Sequence, residues 1–288
     1  MMKKICAALL CGAMAITLTG CSGKRYNVKS SKPAVIDGFD GNVVDVSPKS
    51  GDLIATFEIE GFGEIKAVLF PKAAPVGVEN FQKLCDSGYY EGLKIHRVRE
   101  NFMFQGGSLN GDGTGGDAMV NGGEFDIETA QNARHYYGAL CYANAAGKNS
   151  TQFYIVNSKA PQTIDTSDTE RITNSINLRL DELTANAKNL TDYQITNNLH
   201  EIQYDQNTLD FKNYATDEVK ARYREVGGYA PLDGNYTVFG QVYKGFDVVD
   251  AISAVEVEDN GRGEKSSPVE DIIINKVTVS IFLDKARY

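Results

Sequence analysis

His96-Arg97-Val98-Arg99-Glu100-Asn101-Phe102-Met103-Phe104-Gln105-Gly106-Gly107 is the stretch on which the reading of this 288-residue chain turns. Lys94 to Val98 and Phe102 to Gln105 are strand-like, and the second run leads straight into glycines. Gln105 to Gly123 holds eight of them. Within it, Gly111-Asp112-Gly113-Thr114-Gly115-Gly116 formally matches the G-x-G-x-x-G dinucleotide fingerprint. That fingerprint binds phosphate only where a strand feeds the glycines into a helix N-terminus, and Asp117 to Gly123 has no helical period. A calcium loop fails as well, because Asn121 stands where a bidentate glutamate is needed. The segment reads as a long surface loop that bends tightly.

Upstream, Asp52 to Ile59 and Glu64 to Phe70 are β-like runs separated by Gly61-Phe62-Gly63, which is a hairpin signal. After Pro71 and Pro75, Val78, Phe81, Leu84 and Cys85 recur at helical spacing before Gly88. Downstream, Tyr137 to Ala143 and Gln152 to Val156 are apolar and aromatic, flanking a loop from Asn144 to Thr151. Gln162 to Val226 then contains neither glycine nor proline. Ser167-Asp168-Thr169-Glu170 has the form of a capping box, and Ile172, Ile176, Leu180 and Leu183 share one helical face after it. Ile195, Leu199 and Ile202 predict a second helix, and Val219, Tyr223 and Val226 a third. Asn235 to Val242 is strand-like, Phe246 to Val255 helical in spacing, and Asp271 to Phe282 a long β-like run. Strands at both ends of this body suit a sheet that closes on itself.

With 42% hydrophobic and 23% charged residues the chain has the composition of a folded protein, and its net charge of −9 argues against nucleic acid as a partner. Twenty-eight glycines against seven prolines, fifteen tyrosines and no tryptophan fit a β-rich scaffold. Lys3 and Lys4 precede an apolar run from Ile5 to Leu18 that is too short to span a bilayer comfortably, and Leu18-Thr19-Gly20-Cys21 resembles a bacterial lipoprotein box. Residues 1–20 are therefore expected to be a signal peptide, Cys21 the lipidated first mature residue, and residues 21–49 a tether. The expected location is outside the cytoplasm, anchored by lipid to a bacterial membrane; an ordinary secretory signal or an uncleaved anchor would also place the body there. Cys85 and Cys141 lie in apolar surroundings and read as inert buried thiols. His96, His135 and His200 have no zinc spacing, so no metal and no cofactor is expected.

The opening stretch closely resembles the most diagnostic segment of the cyclophilins, and four further segments resemble family motifs in order. These are Gly113 to Gly116 with Glu124-Phe125, Ala143-Asn144-Ala145, Gln152-Phe153-Tyr154-Ile155, and Leu232-Asp233-Gly234-Asn235-Tyr236-Thr237-Val238-Phe239-Gly240. The resemblance covers about Gly51 to Val279. It implies a mainly β fold: a closed eight-stranded antiparallel barrel capped by two helices, here as a domain over 50–284 with a helical insertion over 162–229. The implied activity is cis/trans isomerisation of peptidyl-prolyl bonds, and the implied partners are proline-containing polypeptides in extended conformation, bound by a monomer.

Peptide-bond rotation faces about 18–20 kcal/mol, and millisecond turnover requires removing roughly 6 kcal/mol of it. Such a demand is met by favouring the twisted amide, whose nitrogen lone pair accepts a hydrogen bond, without any nucleophile or metal. The resemblance makes Arg97, a permanent donor, the catalytic residue together with Gln105. It assigns Phe102, Met103, Tyr154 and Leu232 to the proline pocket, and Gln152 and Asn144 to the substrate backbone. Ala143 and Ala145 would keep the groove wall low, with Tyr236 beside them. Tyr154 stands where many members have phenylalanine, Tyr236 where eukaryotic members have histidine, and Pro231 where cyclosporin-sensitive members have tryptophan, which implies weak cyclosporin binding. The competing reading is a catalytically idle cyclophilin-fold module or chaperone that binds through the helical insertion.

Overall fold

The computed structural model describes residues 14–19, 25–30, 34–37, 47–145, 147–165, 167–186 and 189–284. Cys21 and most of the expected signal and tether lie outside the described residues. Within that region the backbone of Met14–Thr19 (β1) pairs antiparallel with Arg25–Ser30 (β2). No helix among the described residues is long and apolar enough to cross a membrane.

The body begins with the hairpin of Leu53–Ile59 (β3) and Gly63–Leu69 (β4), followed by helix α1, Pro75–Asp86. Strands Ile95–Arg99 (β5), Met103–Gly106 (β6), Phe125–Asp126 (β7), Ala139–Ala145 (β8) and Lys148–Val156 (β9) come next. Three helices then intervene: Thr169–Asn186 (α2), Asp192–Asn213 (α3) and Asp217–Val226 (α4). A 3-10 turn at Ala230–Leu232 leads into Val238–Lys244 (β10), helix α5 (Phe246–Ser253), the hairpin Val257–Asp259 (β11) and Lys265–Pro268 (β12), and Ile274–Ile281 (β13).

The antiparallel strands follow the order β13-β3-β4-β10-β8-β9-β6-β5, with β7 added beside β9. The expected closed eight-stranded barrel is corrected here: this nine-stranded sheet curls but stays open. Its edge strands β5 and β13 meet only at their tips, through an isolated bridge between Lys94 and Ile273. Hydrogen bonds from Ile95 N to Ile272 O (2.9 Å) and Gly92 N to Ile274 O (2.8 Å) cross the seam there. Beyond that point β12 packs alongside β5, and β13 has already turned to its ladder with β3. The loop expected from Asn144 to Thr151 is also shorter than its sequence suggested, because β8 and β9 continue into it as a tight hairpin.

Period-2 alternation gives the sheet two buried faces. Phe104, Leu140, Tyr142, Phe153, Ile155 and Phe239 point into the main core. There Phe57, Phe81, Phe153 and Phe239 pack ring on ring at 5.1 to 5.8 Å. Helix α1 covers one part of this core with Val78, Phe81 and Leu84, and α5 another with Val248, Val249 and Ile252. Alternate residues Met103, Ala139, Cys141, Tyr154, Val156 and Val238 form a second cluster on the opposite face. Near-continuous apolar runs in β8 to β10 follow from this double burial.

Helices α2 and α3 share an apolar core of their own, including Ile172, Ile176, Leu183, Ile195, Leu199 and Ile202, as their spacing predicted. A capping box occurs at the start of α3, between Thr191 and Gln194. Helix α4 is joined to the sheet by one buried carboxylate. Asp233, 3% exposed, accepts from Arg134 Nη1 (2.8 Å), the His135 backbone N–H (3.0 Å) and the Tyr223 hydroxyl (2.8 Å). Burial acts to raise its pKa, but the charge of Arg134 and the bonds from Arg134 and His135 leave it below the usual carboxylate range. Removing one partner of such a pair strands the other charge away from water. Asp233→Ala is therefore expected to cost about 3–5 kcal/mol, measured as a lower urea midpoint at pH 7.

Candidate active site

The ladder registers align the site. Arg97 lies opposite Gln105 across β5 and β6, Gln105 opposite Tyr154 across β6 and β9, and Tyr154 opposite Cys141 across β9 and β8. Directly opposed residues share a face, so Arg97 and Gln105 continue the row begun by the outer apolar cluster. Met103, Tyr154 and Leu232 are buried in that cluster, with Phe102, Ala143, Tyr229 and Tyr236 partly buried against it. Eight sequence-predicted residues thus converge: Arg97, Phe102, Met103, Gln105, Ala143, Tyr154, Leu232 and Tyr236.

Arg97 Nη1 donates to Gln105 Oε1 (3.3 Å), Gln105 Nε2 to Gln152 Oε1 (2.9 Å), and Gln152 Nε2 to the Gly113 carbonyl (2.9 Å). Because a guanidinium only donates, this relay sets the orientation of both amides. It also ties the glycine loop to the site, with Ser108 Oγ donating to Thr114 O and accepting from Gly113 N. The guanidinium carbon of Arg97 stands 5.7 Å from the centre of the Phe102 ring.

Asn144 spends its side-chain amide on the carbonyl of Asn235 (2.9 Å). A register shift between Tyr142 and Asn144 displaces Ala143 from regular pairing; such bulges re-aim main-chain groups. Ala145 is exposed at the hairpin end. Beside Asn144 and Tyr236 opens a groove of about 520 Å³, walled on the other side by His200, Glu201, Tyr204 and Asn207 of α3. Asn235 fastens that helix through the Tyr204 carbonyl and the Thr208 hydroxyl.

The hydroxyl of Tyr154 meets His135 Nε2 (2.9 Å), and His135 Nδ1 meets Asp233 Oδ1 (2.9 Å). The polar end of this tyrosine is thereby satisfied within the protein while its ring packs in the outer apolar cluster. Burial raises the Cys141 thiol pKa well above its ordinary value and likewise that of Cys85. Both are buried free thiols.

Three participants lay beyond sequence reasoning. The ring of Tyr229 packs 4.5 Å from that of Phe102. It is placed by Gly227 and Gly228, with φ of 78° and 131°, where a Cβ would strike Lys159 and His135 backbone atoms at 2.5 and 2.3 Å. The double glycine was visible as a breaker, but not the ring it aims. His135 carried no motif. Glu264, at the β11–β12 tip, accepts from Arg97 Nε (2.6 Å) and Nη2 (2.8 Å), and the hydrogen bonding from Arg97 first, with its charge a smaller contribution, holds its carboxyl down at about 2.

A model for cyclophilin type peptidyl-prolyl cis-trans isomerase/CLD matches residues 54–279. The chain belongs to the cyclophilin-type peptidyl-prolyl cis-trans isomerase family. A Staphylococcus aureus protein named as a peptidyl-prolyl cis-trans isomerase is 32% identical over 219 residues, which are 75% of this chain and 87% of that one. A Streptococcus pyogenes protein named as a bifunctional phosphatase/peptidyl-prolyl cis-trans isomerase is 33% identical over 221 residues. This chain spans only 37% of that relative's length. Among solved structures, a Cryptosporidium parvum cyclophilin aligns with a TM-score of 0.52 at 19% identity, covering 81% of this chain and 99% of that one. The same cyclophilin, crystallised in the presence of the dipeptide Ala-Pro, aligns with a TM-score of 0.51. These structural likenesses carry the cyclophilin fold.

His96, next to Arg97 in this family's motif, has a buried Nδ1 without a hydrogen-bond partner. Burial first, and the Arg97 charge second, lower its pKa to about 4. Since the unfolded chain takes up this proton near pH 6.5 and the folded one only near 4, stability falls as pH drops through that window. Allowing for partial exposure, the loss is about 2 kcal/mol. Urea unfolding between pH 7 and 4.5 should show this slope, and His96→Asn should flatten it.

Proposed function

We propose that this cyclophilin-type domain accelerates prolyl cis/trans isomerisation with Arg97 as its catalytic residue. The observation that supports the reading is the Arg97 guanidinium beside Phe102, at the edge of the apolar cluster that holds Met103, Tyr154 and Leu232, to which the cyclophilin motifs assign the proline pocket. The pocket takes the proline ring without any hydrogen-bond demand. An N–H of Arg97 meets the amide nitrogen once it twists out of conjugation and exposes its lone pair; the planar ground state lacks that acceptor. The donor therefore stabilises the transition state more than the substrate. Gln105 supports the guanidinium, and Gln152 and the Asn144 main chain hold the peptide. Ala143 and Ala145 leave room for an extended chain that passes Tyr236 into the groove beside α3. No covalent intermediate forms.

Residues 162–229 read as a helical insertion in the family fold, carried between β9 and β10. The lipoprotein-like box at Cys21 supports a lipid-anchored enzyme outside the cytoplasm, acting as a monomer on exported or surface proteins as they fold. In the source bacterium, Cys21→Ser should shift the protein from the membrane to the soluble fraction; unchanged membrane fractionation would remove the lipid anchor.

A protease-coupled assay on a proline peptide tests the activity. Arg97→Ala is expected to lower kcat/KM by about 100-fold or more while peptide binding persists. Equal rates in wild type and variant would leave the binding-module reading in its place.

A further inference from the structure

Arg97 is not held by its own motif alone. Of the five N–H groups of a guanidinium, Nε–H and one on Nη2 go to the two oxygens of Glu264, at 2.6 and 2.8 Å, and one on Nη1 goes to Gln105 at 3.3 Å. A bidentate carboxylate on one edge and an amide on another set both the plane and the rotation of the group. The second N–H on Nη1 has only the weakly accepting Met103 sulfur, at 4.0 Å, and one on Nη2 is left over; the guanidinium carbon stands 5.7 Å from the centre of the Phe102 ring.

Glu264 also accepts from Arg99 Nη1 (3.2 Å), and the Arg99 guanidinium carbon lies 5.6 Å from the same Phe102 ring. Two positive groups, two residues apart on one strand, thus share one carboxylate. Without it they repel each other and each regains its rotamers. The carboxylate itself arrives preformed. Asn260 N donates to Glu264 O (2.9 Å), while Asn260 Oδ1 accepts from Arg262 N (2.9 Å) and Glu264 N (3.3 Å). Gly261 and Gly263 supply the positive φ values, 77° and 81°, that close this tip.

We propose that Glu264 is a positioning residue for isomerisation: its carboxylate holds the Arg97 guanidinium in the orientation from which its remaining N–H groups meet the twisted prolyl nitrogen. The proposal rests on the isomerase reading above. It follows that Glu264 acts on turnover through Arg97, because the proline pocket itself lies on Phe102, Met103, Tyr154 and Leu232.

Steady-state isomerisation of one proline peptide by the full chain, with melting temperature measured alongside, tests this. Glu264→Ala should lower kcat about tenfold with KM within about twofold, and the isosteric Glu264→Gln should fall between it and wild type. In an Arg97→Ala background, Glu264→Ala should change kcat/KM by less than about twofold. Undiminished kcat in Glu264→Gln and Glu264→Ala overturns the proposal. So does an equal loss with and without Arg97, which would mark a general structural role. Should Glu264→Ala fail to fold, the Gln variant and its cycle with Arg97 decide alone. If Arg97→Ala by itself leaves the rate unchanged, the isomerase reading fails instead, and the two failures are told apart within one set of variants.

Discussion

Asp233 is a carboxylate with almost no contact with water, and four groups from two other parts of the chain converge on it. Arg134 and the His135 main chain and ring approach from the segment before β8, and Tyr223 from α4. The carboxylate itself directly follows Leu232 of the outer apolar cluster. Each donor alone would be a costly buried polar group, and so would the carboxylate. Together they satisfy one another, so the turn carrying Leu232, the helical segment and the sheet are held in one arrangement. Through His135 the same network reaches the hydroxyl of Tyr154 and fixes its ring within the outer apolar cluster.

On the other side of the pocket the constraint is electrostatic and more exposed. Arg97 and Arg99 project from β5 near Phe102, and the carboxylate that pairs with both belongs to a hairpin more than 160 residues further along the chain. Past the antiparallel bridge between Lys94 and Ile273, β5 runs along the chain that precedes β13, and β12 packs beside it there, which brings Glu264 to the two arginines.

Much of the site was legible because it is local. His96 to Gly107 carries donor, apolar wall and amide on two adjoining strands, and strand alternation alone puts Arg97 and Gln105 on one face once those strands pair. The apolar spacings of α1, α2 and α3 were legible for the same reason, since a helix displays its buried face at fixed intervals. Less legible was the hairpin of β8 and β9, whose polar tip hid the continuation of both strands. Tyr229 was hidden too, because a tyrosine after a double glycine has no periodic neighbours to reveal which ring it meets.

By itself the sequence determined the family, the order of the main strands and helices of the body, though not β7 or the β11–β12 hairpin, and the residue types that the family's chemistry calls for. Those features are encoded in short-range patterns, where neighbours in the chain remain neighbours in space. Only the tertiary structure decided that the sheet stays open, that α3 walls a groove beside Asn144 and Tyr236, and that Glu264 holds Arg97 while Asp233 gathers Arg134, His135 and Tyr223. Each of these depends on pairing groups tens to more than a hundred residues apart. A charge or a glycine in the sequence does not carry the identity of such a partner; burial and geometry select it when the chain folds.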